Sequence, residues 1–165
     1  MLQYGFESFD QITKYLGTTS IDYDIVLLDI DSNEAFVEFG MDVADKNFFV
    51  TAFDNYSLKK GLEVIGKMEE QVIMTKILFS RDMLQEDDDY LNFLSFYFSV
   101  KWNEEKIYFP YDQGDNTVII KNQRLSQIKL KELNQLFREG LILIAELIAP
   151  EVKGGDIKKA VKKIM

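Results

Sequence analysis

The stretch that decides the fold is Asn47–Met68, NFFVTAF followed by DNYSLKKGLEVIGKM. Phe48, Phe49 and Val50 are apolar in succession, so neither face of an extended chain there is polar. A strand of that kind has to be covered on both sides, which is the condition of a parallel sheet. Asp54, Asn55 and Ser57 then supply the side chains that cap a helix N-terminus. Leu58, Leu62 and Ile65 recur on one face of the helix that follows. A doubly covered strand running into an amphipathic helix is half of a β-α-β unit.

Working outward, the same logic extends in both directions. Upstream, Phe9, Ile12, Tyr15 and Leu16 predict a helix over Glu7–Leu16. In IDYDIVLLDID (Ile21–Asp31), the run Ile25–Leu28 predicts another doubly covered strand, ending in Asp29 and Asp31. Downstream, MTKILFS (Met74–Ser80) predicts a strand and LNFLSFYFSV (Leu91–Val100) a helix with a strongly apolar face. KIYFP (Lys106–Pro110) predicts a strand halted by its proline. After the turn-rich DQGDN come a short apolar run, Val118–Ile120, and a long helix from Ser126 to Ala149, closed by Pro150. The order predicts a three-layer α/β fold with a mainly parallel sheet of four to five strands and helices on both faces. Residues 1–150 read as a single α/β domain and 151–165 as a basic amphipathic tail.

Composition narrows the chemistry. With 47% hydrophobic and 13% aromatic residues, the 165-residue chain is rich enough in apolar surface to build a core. It contains neither cysteine nor histidine. Disulfides, thiolate metal sites, thiol nucleophiles and every His-dependent triad are thereby excluded. The expectation is a protein that is not an enzyme, with no catalytic residue, no metal and no cofactor. The net charge of −9 opposes the charge of a phosphate backbone, so no nucleic-acid partner is expected. No uncharged apolar run reaches the roughly 18–20 residues of a membrane span. The N-terminal MLQYGFESFD has no signal-peptide pattern, so the expected location is cytoplasmic.

Three features in order give the chain a resemblance to the MinD/ParA-type (deviant Walker) P-loop ATPases. IDYDIVLLDID resembles that family's Walker B strand, DVADKNFFVTAFDNYSLKKGLEVI its next strand and helix, and KIYFPYDQGDNTVIIKNQR its adenine-side strand and loop. The resemblance covers roughly residues 20–149. It implies that Asp29 occupies the Walker B position with Asp31 beside it, both vestigial, and that Pro110 and Asp112 lie where the family's backbone meets the adenine. The family's glycine-rich phosphate loop has no counterpart in these residues. The nearest string, Lys153–Lys159 (KGGDIKK), follows a helix and lacks the Lys-Ser/Thr pair. The resemblance therefore implies a non-catalytic module that binds a protein partner in a division, pilus, secretion or conjugation apparatus, with a homodimer as one arrangement. Two alternatives stay open: a fragment of an active ATPase whose loop lies upstream, and a degenerate response-regulator receiver, echoed by YDIVLLDI and VTAFD.

Three local features complete the reading. In GGDIKKAVKKIM, Ile157, Ala160, Val161 and Ile164 share a helical face flanked by Lys158, Lys159, Lys162 and Lys163. That is the pattern of a short basic helix lying on an anionic membrane surface, and MinD proteins carry a similar tail. It predicts a peripheral position at the inner face of the membrane. The acidic run Glu86–Asp89 lacks the glycine and ligand alternation of a calcium loop and reads as a solvated loop or helix start. The aromatics Tyr90, Phe93, Phe96, Tyr97, Phe98 and Trp102 read as core or partner interface.

Overall fold

In the computed structural model the described residues are 8–22, 24–30, 34–52, 55–68, 73–80, 85–110, 113–127 and 129–164. They fall into two compact units, Met1–Asp45 and Lys46–Met165. The first unit holds helices α1 (Phe9–Asp22) and α2 (Glu34–Val43), with Ile12 and Met41 buried. The second runs β1 (Asn47–Ala52), α3 (Asn55–Gly66), β2 (Ile73–Ser80), α4 (Gln85–Tyr97), β3 (Lys101–Pro110), α5 (Gln113–Arg124), a 3-10 turn at Leu130–Glu132, α6 (Gln135–Ile148) and α7 (Gly154–Ile164).

The sheet of the second unit is parallel throughout, in the order β1-β2-β3. Successive side chains on a strand point to opposite faces, so neighbours on β2 divide between two cores. Leu78 joins Leu58 and Leu62 of α3 and Leu91 and Leu94 of α4, with Phe49, Trp102 and Tyr108 packed around them. Ile77 joins Ile107 and Phe109 of β3 with Leu133 and Phe137, bordered by Val118 and Ile119 of α5. The result is a three-layer α/β arrangement with helices on both faces. Leu58, Leu62, Leu78 and Leu91 are fully buried, and each contributes about 1.5–3 kcal/mol of apolar transfer free energy before conformational entropy is counted.

Several expectations are corrected. Among the described residues the sheet has three strands, not four to five. The run Ile25–Leu28 forms no strand: residues 25–30 have no regular structure, and all four side chains of the run are exposed. Apolar continuity marks a segment as suited to burial, but a strand also needs a neighbour to take up its backbone hydrogen bonds, which periodicity does not report. Val118–Ile120 lies inside α5, a helix with Asp115 in its first turn and Lys121 and Arg124 in its last. Charges so placed suit the helix dipole. The long helix begins at Gln135, where Asn134 caps it by accepting the Leu136 N–H at 2.8 Å.

β3 starts at Lys101, earlier than the KIYFP pattern indicates, because an irregularity hides its first half. Met74 pairs with Trp102 and Lys76 with Lys106, so one intervening residue of β2 stands against three of β3. The extra pair leaves inward and outward parity unchanged, and Trp102 and Lys106 both face α4. α6 approaches β3 closely at Gly140, where a Cβ would come 2.8 Å from the Phe109 ring.

Candidate functional site

Helix α4 carries two unlike faces, and together they form the candidate site. Its inner face presents Asp88, Leu91, Leu94 and Ser95, all buried, at helical spacing. Opposite them stand two lysines on one face of the sheet, Lys76 on the central strand β2 and Lys106 on the edge strand β3, paired in register. The Asp88 carboxylate accepts hydrogen bonds from both, from Lys76 at Oδ1 and from Lys106 at Oδ2, the latter at 2.7 Å. Side-chain exposure is 5% for Lys76, 4% for Asp88 and 30% for Lys106. One carboxylate therefore bridges two ammonium groups, and the surplus positive charge has its route to solvent at Lys106.

Further polar contacts complete the network. Lys76 also donates to Asn92 Oδ1 at 2.9 Å, one helical turn beyond Asp88. Its ammonium lies 5.5 Å from the Trp102 ring centroid, and that of Lys106 lies 5.8 Å from Tyr108. The Trp102 indole N–H donates to Ser95 Oγ at 2.8 Å, and the Ser95 hydroxyl donates back to the Leu91 carbonyl. Burial pushes the Asp88 carboxyl up, but hydrogen bonds from Lys106 and Lys76 and their positive charges outweigh it. The group is held below its ordinary value of 3.8. The hydrogen bond to Asp88 raises the Lys106 ammonium above 10.5, against the opposing effect of burial. Such a network fixes the rotation of α4 on the sheet, since a slip of one residue would strand a charge in the core.

The outer face of α4 is aromatic. Tyr90, Phe93, Phe96 and Tyr97 are 37%, 57%, 84% and 67% exposed. Phe93 and Tyr97 meet edge-to-face with ring centroids 5.2 Å apart, and Phe96 and Tyr97 at 6.2 Å. Phe93, Phe96 and Tyr97 thus form one pre-assembled ridge. Ser99, at a φ of 57°, turns the chain out of the helix, and the Val100 N–H reaches back to the Ser95 carbonyl at 3.2 Å.

The sequence-predicted residues are placed as follows. Asp29 is exposed on the irregular segment 25–30, while Asp31 and Asp112 lie outside the described residues. Pro110 ends β3, opposite Ser80. Polar residues of α5 are wired inward: buried Asp115 accepts the Asn134 N–H at 2.7 Å, and Asn122 donates to the Lys129 carbonyl at 3.4 Å. Asp115 thereby ties the start of α5 to the start of α6. In α7, Ile157 is buried, and the helix packs against α6 and the 3-10 turn. Lys158 and Lys159 are exposed, with Lys159 pairing to Asp156 at 3.2 Å. Val161, Lys162, Lys163 and Ile164 continue α7, and their side chains lie outside the described set.

The acidic run is corrected in one respect. It does begin a helix, but Asp88 points into the core and is not solvated. The missed signal was Lys76, a charge inside the apolar strand MTKILFS, since a lysine so placed calls for a buried counter-ion. The aromatic cluster divides: Phe98 and Trp102 pack on the core, and the other four lie exposed on the outer face of α4.

Among the described residues no group of three or more acidic side chains is placed to hold a metal ion, and no helix is long and apolar enough to cross a membrane. No protein-family model matches the chain, and neither the curated proteins nor the solved structures compared with it give a match.

Proposed function

We propose that this chain is a non-catalytic α/β interaction module, resembling the back half of a MinD/ParA-type ATPase, that binds a protein partner through the outer face of α4. The observation that carries the reading is the ridge of Phe93, Phe96 and Tyr97, three rings each more than half exposed, with Tyr97 in contact with both of the others. Isolated exposed apolar residues are ordinary, whereas a contiguous aromatic patch marks an interaction surface. Aromatic side chains also supply most binding hot spots, because they bring large area for few rotatable bonds. The buried cluster beneath gives the ridge a fixed platform.

The test is a photo-crosslinking side chain at Phe96, read in the cells the protein comes from, with the same group at exposed Glu139 on α6 as control. A discrete adduct at 96 that is absent at 139, and is lost when Phe93 and Tyr97 are changed to serine, supports the reading. Absence of an adduct sinks the partner assignment. Titration calorimetry with Mg-ATP and Mg-ADP addresses the non-catalytic part, and micromolar binding would overturn it.

The lysines of α7 favour a second, compatible property, a peripheral position on anionic lipid. Buried Ile157 sets a condition on it: that side chain reaches lipid only if α7 leaves α6. Co-sedimentation with phosphatidylserine vesicles, with and without residues 154–165, decides it, and equal partitioning of the two forms would rule it out.

A further inference from the structure

We infer that the outer face of α5 is a docking groove for an acidic amphipathic helix of another protein, held by Arg124 through a carboxylate and by Ile120 and Leu125 through apolar side chains. This surface lies on a different helix from the aromatic ridge and stands independently of it.

α5 has two unlike sides. Asp115, Val118, Ile119 and Asn122 recur at helical spacing on the inner one. Val118 and Ile119 pack on the core, Asp115 is buried, and Asn122 reaches the Lys129 carbonyl. Thr117, Ile120, Lys121 and Arg124 repeat that spacing on the opposite side, and all four are exposed. With Leu125 they line a groove of about 310 Å³, in which Ile120 is 48% and Leu125 59% exposed. The end of the helix is fixed. Ser126, at a φ of 47°, closes a turn in which the Gln127 N–H reaches the Asn122 carbonyl at 3.0 Å. Leu125 is therefore held in place before anything binds.

Charge selects the occupant. In a chain of net charge −9, the stretch Lys121 to Lys131 holds four basic residues, Lys121, Arg124, Lys129 and Lys131, and no acidic one. Lys121 pairs with Glu132 at 3.2 Å, so one carboxylate already sits on this patch. Arg124 makes no ion pair among the described residues. Its planar fork matches a carboxylate through two parallel hydrogen bonds. Ile120, one turn before it, and Leu125, one residue after it, supply the contacts for apolar anchors on a partner helix.

The form of the groove favours a helix over other anions. Among the described residues its whole lining comes from α5 and the residue that follows it. A small molecule would lie uncovered there, whereas ligand clefts bury most of their ligand; a partner helix brings the missing wall. A flat bilayer surface does not enter a concavity, and Glu132 on the same patch opposes anionic lipid. A nucleic acid finds no aromatic ring in the lining on which to stack a base.

The test is fluorescence anisotropy of the full chain with a labelled helical peptide of about four turns, leucine along one face and glutamate beside it. The comparison peptide has every glutamate changed to glutamine. The net charge of the chain repels an acidic peptide, so a preference for glutamate reports a local cation. The glutamate peptide should bind about tenfold tighter or more, the size of one charged hydrogen bond. Arg124→Gln should erase that preference, and Ile120→Ser should weaken both peptides. Both side chains are exposed, so the urea midpoint of each variant should match the wild type. Absence of binding, equal affinity for the two peptides, or a preference that survives Arg124→Gln overturns the inference. If the peptides fail and Arg124→Gln abolishes binding to phosphatidylserine vesicles, the face belongs to lipid and the inference falls.

Discussion

Changing Asp88 to alanine tests the platform beneath the ridge. The substitution leaves Lys76, with 5% of its side chain exposed, without its counter-ion, whereas the 30% exposed Lys106 can turn to solvent. Removing one partner of a buried ion pair costs about 3–5 kcal/mol, because the remaining charge stays desolvated. Against a domain stability of about 5–15 kcal/mol, that is roughly a fifth or more of the total. The effect should appear as a fall in the urea midpoint at unchanged m-value, followed by circular dichroism. Two companion variants separate charge from packing. Asp88→Asn keeps an acceptor for Lys76 and should lose less than alanine. Lys76→Met combined with Asp88→Leu replaces the pair by apolar groups of similar volume, and should recover most of the loss. The reasoning is refuted if Asp88→Ala costs under about 1 kcal/mol, the range of an exposed pair. It is refuted equally if the double variant is no better than the single one.

Further predictions follow from neighbouring contacts. The Asp88 carboxyl is held below 3.8, so its contribution is complete above that value and is lost as pH falls through the lower folded-state value. The Lys106 ammonium is raised above 10.5, so its contribution is complete below that value and is lost as pH rises through the higher folded-state value. In urea titrations across pH, Asp88→Asn should flatten the acid limb relative to the wild type. Gly140→Ala sets a methyl 2.8 Å from the Phe109 ring and should cost about 1–3 kcal/mol by overpacking, visible as a lower thermal midpoint. Asn134→Ala removes the cap of α6 and should cost about 1 kcal/mol, with the Asp115 contact to the Asn134 N–H retained; an unchanged midpoint would refute the cap assignment.

The sequence by itself determined the layer architecture. Apolar runs at Asn47–Phe53 and Met74–Ser80, each followed by a helical pattern, require a doubly covered parallel sheet, and that sheet is present. Local chemistry also determined where α3 begins and that the acidic run starts a helix, since capping and periodicity act within a few residues. What tertiary structure alone decided is which segments find partners. Ile25–Leu28 has the composition of a strand and pairs with nothing among the described residues, while Val118–Ile120 has it and joins a helix. The site shows the same division. The aromatics of α4 were legible as core or interface, but the helix's rotation on the sheet decides which ring does which. That rotation is set by Lys76, Asp88 and Lys106, which are 12 and 18 residues apart about Asp88. Desolvation makes their pairing obligatory once the sheet forms, and no local pattern in the chain records it.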